Sequence, residues 1–478
     1  MNQSKNIKEL IINQISKIVF DKKNIISTTI VGSFNDSIGL GGISDIDVVI
    51  IVDKLSEKVF NEIILSFQNI DCSEIGLKAY DLIVNSTFGP LKLNSKKSVV
   101  FHVMVYDIIG HIKHVEESPF TCHSWEQSEP ILGISLKDIY PVLNLQLSDL
   151  LESRRGILSY INDIKKGSIT YRKYQFENGN PIVIKDLFHL DPRHRLEYSY
   201  HISYHLLNNL HKIIVQKKES LSPKKISKFY LDLEPNFKKS IDFFNELSLW
   251  KNSGGAKPEN IIKKTIFFIN QVFLLVEKIN LTSISICFKR HQKTEHNDGT
   301  FLGSRRNPSI EPMINLLNEP NYKVGYCSHL NRSKETIKHY NCELIVESSY
   351  LNEIDYGLAE GLTLKQLSDN FPDMVSCWKK GEDPKFPEGE SQRDVLKRVQ
   401  FFLEFELEPL KDSIVVTHLV VLRMVLYSFL EMNFKDMYKI QIDHLEGYDF
   451  LNFKTYFSPI LSSSLRSVIR NQLSKVNG

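Results

Sequence analysis

Two places in the chain concentrate side chains that can do chemistry. In the first, "SDIDVVIIVD", Asp45 and Asp47 stand two apart at the start of an apolar run. If that run is a strand, both carboxylates share one face while Ile46 and Val48 point to the other. Adjacent carboxylates raise each other's pKa unless a cation lies between them, and hard oxygen ligands suit Mg2+. Just upstream, Gly32 and Ser33 end another apolar run, where backbone amides and a small hydroxyl can approach a phosphate closely. In the second place, Arg290 and His291 follow "ISICFK", and His418 follows "SIVVT". Arg332 opens a helical pattern between them, and Glu353 lies in a loop after a β-run. Two arginines and two histidines around one point would make a cationic pocket for a phosphate, gripped through bidentate hydrogen bonds. A neutral imidazole there can attack phosphorus, and a carboxylic acid can protonate the leaving oxygen.

The elements must deliver these groups. Up to about Leu143, short β-branched runs alternate with helical patterns, so this part reads as α/β or α+β. From about Ser148 to Lys278 the pattern is almost wholly helical, and "SGGAKPE" breaks one helix from the next. From Ile284 onward the runs "ISICF", "VGYCS", "LIVES" and "SIVVTH" alternate with helical patterns, which predicts an α/β sheet. Parallel strands would bring their ends together at the carboxyl edge, where ligands of such sheets bind.

A D-x-D pair alone is an ordinary surface turn. A strand ending in Gly-Ser, a Gly-rich bend and Ser-Asp-Ile-Asp before an apolar run is more specific. Gly32, Ser33, Ser44, Asp45 and Asp47 resemble the nucleotidyltransferase superfamily that includes polymerase β and the aminoglycoside nucleotidyltransferases. The resemblance covers roughly the first 140 residues. It implies a nucleoside triphosphate held with Mg2+, Ser33 on its phosphate oxygens, and Asp45 and Asp47 on the metals. It also implies a third carboxylate on a later strand, completing a two-metal clamp. "SVVFHVMVYD" is the expected strand, with Asp107 at its end as the preferred third acid and Asp81 as another candidate; His102 lies within the strand on the opposite face from Asp107. A further reading is that the third acid is missing and transfer is weak or absent.

The second constellation is similar to the histidine phosphatase, or phosphoglycerate-mutase-like, superfamily. The pattern R-H-G-x-T-x-x-N appears as Arg290, His291, Gln292, Thr294 and Asn297. S-x-L-x-R-x-x-x-T appears as Ser328, Leu330, Arg332 and Thr336, the acid motif as Leu351–Glu353 with Tyr356, Gly357, Glu360 and Gly361, and the last histidine as Thr417-His418. "FPEGES", from Phe386, resembles the fructose-2,6-bisphosphatase branch. The resemblance implies that His291 becomes a phosphohistidine. Arg290, Arg332 and His418 would bind the phosphoryl group, Asn297 would line the pocket, and Glu353 would act as acid and then base. No metal is implied for this half. Gln292 and Leu419 depart from the small residues usual at their positions.

The 478 residues suggest two or three domains. The expected organisation is multidomain α/β: a nucleotidyltransferase-like core over 1–143, a helical accessory domain over 144–282, and a histidine phosphatase sandwich over 283–478. A formal charge of +2 gives no support for a nucleic-acid-coating surface. No run of eighteen or more apolar residues predicts a membrane span. Six scattered cysteines without a C-x-x-C pair read as reduced thiols of a cytoplasmic protein. No G-x-x-x-x-G-K-[ST] loop occurs, which argues against a kinase–phosphatase fusion. The expected activity is bifunctional: nucleotidyl transfer to a small acceptor, and hydrolysis of a phosphorylated small molecule such as a sugar phosphate. The alternatives are a non-catalytic N-terminal binding module, or two opposed activities.

Overall fold

The first apolar runs form β1 (Ile25–Val31) and β2 (Ile46–Val52), which pair antiparallel with Val31 opposite Asp47. The computed structural model describes residues 2–36, 45–89, 98–190, 192–217, 219–253, 260–295, 298–312, 320–430 and 432–476. They fall into two compact units: Met1–Lys212 with Lys217–Val276 and Ser474–Gly478, and Glu277–Leu473 with Ile213–Gln216.

The first unit carries a sheet in the order β3-β4-β2-β1-β5, with β3 Asp81–Asn85, β4 Ser98–Asp107 and β5 Pro130–Gly133. Here β3 and β2 both run parallel to β4. Ile46, Val48, Ile50 and Val52 share a core with Ile11, Ile15 and Val19 of the helix Asn2–Phe20, and with Ile63 and Phe67 of the helix Glu57–Gln68. Val49 and Ile51, on the other face, are also fully buried, as expected of a central strand covered on both sides. The helix Ile261–Thr282 is long and apolar enough to cross a bilayer. Its Phe268, Ile269, Val272 and Val276 are buried, with Phe268 against Phe237 and Phe243, as in a core helix.

The expectation of an almost wholly helical stretch over 148–278 is corrected by a hairpin. Strands β6 (Ser168–Glu177) and β7 (Asn180–His189) pair antiparallel throughout. Asn178 and Gly179 join them with φ of 52° and 77°, the left-handed pair that a tight hairpin turn requires. Tyr174 and Phe176 pack against Phe60, and Tyr174 also against Phe88.

The second unit holds a sheet in the order β10-β9-β11-β8-β12-β13. Its parallel strands are β8 Ile284–Arg290, β9 Tyr322–Cys327, β10 Cys342–Glu347 and β11 Ser413–Thr417. Strands β12 (Gly447–Phe453) and β13 (Tyr456–Ile460) close one side antiparallel. Arg290 registers with Thr417, and Cys327 with Val416, so the ends of β8, β9 and β11 meet at one edge.

Candidate functional site

At that edge each strand hands its chemistry to the residue that follows. His291 donates its amide to Thr417 O (2.9 Å), and its ring lies 4.9 Å from that of His418, centroid to centroid. His291 Nδ1 sits 2.6 Å from the Gln292 carbonyl. A carbonyl only accepts, so Nδ1 carries the hydrogen and Nε2 keeps a bare lone pair. Burial, then the charges of Arg332 and Arg290, holds the His291 pKa well below the usual imidazole range, so the ring is neutral at pH 7.

Arg332 is fully buried on the first turn of the helix Asn331–Ile337. Its Nη2 donates to Gly303 O (2.8 Å), Nη1 to Arg306 O (3.0 Å) and Nε to His418 Nδ1 (3.3 Å). Three of five donors are thus engaged among the described residues, leaving one hydrogen on each Nη. His418 accepts at Nδ1, so its Nε2 carries a hydrogen and donates to Ser328 Oγ (2.7 Å). Arg290 Nη1 donates to Ile442 O (2.8 Å), while its Nε is buried with no partner among the described residues. His418 also caps the helix Leu419–Phe429, whose positive end therefore faces the same place.

Glu353 approaches from the loop after β10. Thr417 Oγ1 donates to Leu351 O (2.8 Å), which ties that loop to β11. Burial raises the Glu353 pKa, against the opposing hydrogen bond from Ile354 N and the charges of Arg332 and Arg290. The arrangement is a cationic pocket holding an unprotonated imidazole nitrogen and a carboxyl group biased toward its acid form. The sequence of this region matches the histidine phosphatase superfamily (branch 1) over residues 286–454.

Those residues form a histidine phosphatase domain. Relatives of the phosphatase domain include a 6-phosphofructo-2-kinase/fructose-2,6-bisphosphatase of Caenorhabditis elegans, 27% identical over 197 residues. That match covers 38% of this chain and 40% of the relative. A protein of the same description from Aquarana catesbeiana is 28% identical over 173 residues, covering 33% of this chain and 35% of the relative. The chain thus spans about two fifths or less of the length of these relatives. Among solved structures, the α-ribazole phosphatase of Shigella flexneri is 20% identical with a TM-score of 0.32, covering 38% of this chain and 96% of its own.

Within the phosphatase domain, Arg290, His291, Arg332, Glu353 and His418 come together, while Asn297 lies outside the described residues. The "PEGES" segment packs on the acid loop: Glu390 accepts from Asp355 N (3.0 Å) and pairs with Arg398 Nε (3.0 Å) and Nη2 (3.1 Å). Gly357, at φ 56°, is obligatory there, since a Cβ would stand 2.0 Å from Pro387 O. Sequence reasoning assigned no chemistry to His444, whose Nδ1 lies 2.8 Å from the His291 carbonyl and whose ring is 5.2 Å from that of His291. It also passed over Arg423, one turn after Leu419, which interacts electrostatically with Glu353 and Tyr356. The i, i+4 step from Leu419 was the signal available for Arg423.

The N-terminal candidates are only partly brought together. Gly32, at φ 76°, and Ser33 follow β1 and are exposed; a Cβ on Gly32 would stand 2.5 Å from Asp47 Oδ2. Asp45 and Asp47 do sit side by side, but Asp107 does not join them. Strand β4 runs parallel to β2 with His102 opposite Asp47, and Asp107 opposite Val52. Asp107 is therefore five residues further along, about 16 Å at the usual strand rise. Its carboxylate instead caps the helix Ile108–Glu117, accepting from Gly110 N (2.7 Å). Asp81 lies opposite Ser98 and is likewise distant from the pair. Ser44 lies outside the described residues. The group that meets Asp47 is His102: its Nδ1 lies 2.8 Å from Asp47 Oδ1. Burial disfavours the charged His102 ring, but the Asp47 hydrogen bond and charge outweigh it and raise the pKa. Among the described residues the group here is two carboxylates and an imidazole, which does not match the three-carboxylate set that two Mg2+ ions would require.

Proposed function

We propose that the phosphatase domain hydrolyses a phosphomonoester of a small molecule, such as a sugar phosphate, through a phosphohistidine at His291. The observation that carries this reading is the bare Nε2 of His291, fixed by the Gln292 carbonyl, inside a pocket with Arg290 and Arg332. In the first step Nε2 forms a bond to phosphorus while the ester P–O bond breaks, and Glu353 gives its proton to the leaving alkoxide. In the second step the Glu353 carboxylate takes a proton from water, whose oxygen attacks phosphorus. The P–N bond breaks and phosphate leaves. Arg290 and Arg332 hold the phosphoryl oxygens throughout, and His418 Nε2–H joins them by leaving Ser328 Oγ. Gln292 and Leu419 tune the access and preference of the pocket, and the relatives' fructose-2,6-bisphosphatase name supports a sugar phosphate as the first substrate class to try. The test is hydrolysis of p-nitrophenyl phosphate and a panel of sugar phosphates in EDTA. Wild type should turn over and His291→Ala should lose activity by at least about a thousandfold. Retained activity in the variant overturns the assignment.

A second reading concerns the N-terminal unit. His102 opposite Asp47 favours a unit that binds a nucleoside triphosphate without transferring it over an active nucleotidyltransferase. Pyrophosphate release from ATP, CTP, GTP or UTP in the presence of Mg2+ would contradict that reading.

A further inference from the structure

We infer that the phosphomonoester taken by the phosphatase domain carries a planar aromatic ring, as a nucleoside monophosphate does, and that Tyr356, Phe301 and Trp378 form the cup that receives it; this rests on the phosphatase reading and narrows its substrate class. Glu353 protonates the leaving oxygen, so the rest of the leaving group lies on the Glu353 side of the pocket. Tyr356, three residues on, stands there. Its ring lies against Gly303, whose carbonyl holds Arg332: a Cβ on Gly303 would stand 2.7 Å from Tyr356 Cδ2. The phenol interacts electrostatically with Glu353, Arg423 and Arg290. Burial, with Glu353 beside it, raises the Tyr356 pKa, so the phenol stays neutral and adds no charge against the phosphate.

From Tyr356 the aromatic surface runs on. Ring centroids stand 4.9 Å apart for Phe301 and Tyr356, 4.8 Å for Tyr356 and Phe386, and 5.1 Å for Phe386 and Trp378. Tyr438 follows, 6.0 Å from Trp378. Both Tyr438 and Tyr356 interact electrostatically with Arg423, which also feels Glu353 and Arg290, so the chain of rings starts and ends at the phosphate pocket. Phe386 is buried as the floor of the cup, while Phe301, Tyr356 and Trp378 are half-buried. The three closest pairs meet edge to face, at 61°, 80° and 65°, which leaves ring faces that the neighbouring rings do not cover. A planar ring can stack on such a face, and any base will do, because every base has a π-face. A nucleoside monophosphate is a sugar phosphate with a base added. Without the base, sugar hydroxyls would lie against apolar rings and go without hydrogen bonds. In the turnover the ester P–O bond breaks, Glu353 gives its proton to the nucleoside oxygen, and the phosphoryl group passes from His291 to water.

The experiment compares kcat/KM of the full chain for AMP and UMP with that for ribose 5-phosphate, the same ester without its base. Wild type should favour the nucleotides by at least about tenfold. Trp378→Leu keeps apolar bulk but has no π-face, and should bring the ratio close to parity; Trp378→Phe should keep most of it. Calorimetric binding of AMP and of ribose 5-phosphate to His291→Ala reads the same preference without turnover and with the cup intact. Equal efficiency on AMP and ribose 5-phosphate in wild type, equal binding of the two by His291→Ala, or a ratio unchanged in a Trp378→Leu protein that unfolds like wild type would each overturn the inference and leave the phosphatase reading standing. Failure to hydrolyse any of these esters, p-nitrophenyl phosphate included, would overturn the phosphatase reading and the inference with it.

Discussion

At His291 a single backbone carbonyl decides which nitrogen reacts, and burial beside two arginines keeps that nitrogen unprotonated. Glu353 is shifted the other way, so the pair is poised as nucleophile and acid at the same pH. The acid role is tested by leaving groups. Glu353→Gln should slow hydrolysis of an alkyl phosphate by about 10²–10⁴-fold, and that of p-nitrophenyl phosphate far less, because nitrophenolate needs no proton. Equal losses would make Glu353 structural. The pH profile follows from the same shifts. The acid form of Glu353 is complete below its raised pKa and is lost as pH rises through it, so alkyl phosphate turnover should fall on that limb. The depressed His291 pKa puts the acid limb well below the ordinary imidazole range. In Glu353→Gln the upper limb attributed to Glu353 should vanish, which a rate profile on a single alkyl phosphate would reveal.

Loops, more than strands, give the pocket its shape. Gly303 holds Arg332 with its carbonyl and donates its amide to the Glu360 carboxylate (3.0 Å). A Cβ there would stand 2.4 Å from Ile354 O and 2.3 Å from Glu360 Oε1, beside the acid loop. Gly303→Ala should cost about 1–3 kcal/mol in stability and depress alkyl phosphate hydrolysis, measured by thermal unfolding together with rates. A variant as stable and as active as wild type would contradict that role. The β-runs that carry His291, Ser328 and His418 were legible because apolar runs end where the polar ligands begin. The carbonyls of Gly303, Arg306 and Gln292 were not, since any residue supplies the same backbone group. Asp107 was misplaced for a related reason. Parity along β4 says which face a residue takes, but only the register against β2 says that His102, and not Asp107, meets Asp47. The hairpin β6–β7 carried a local signal, the Asn178-Gly179 turn, that the helical reading of the stretch from Ser148 to Lys278 passed over.

On the scale of the whole chain, the two sets of functional side chains lie in separate compact units. Asp45→Asn with Asp47→Asn should therefore leave phosphatase rates within about twofold of wild type, as expected of sites that share no partners, measured on the same phosphomonoester panel; a large loss would show that the units are coupled. The division into an α/β N-terminal part and an α/β phosphatase domain was readable from alternating runs and ordered motifs, whereas the grouping of the central helices and hairpin with the first unit depends on tertiary packing that no local pattern encodes. The most direct test of the account is acid-free rapid quenching of the full chain with ³²P-labelled substrate, followed by mapping of the label. Label should appear within one turnover, survive base, disappear in acid, map to His291 and be absent from His291→Ala. Turnover without any labelled protein, or label that maps to another residue, would contradict it.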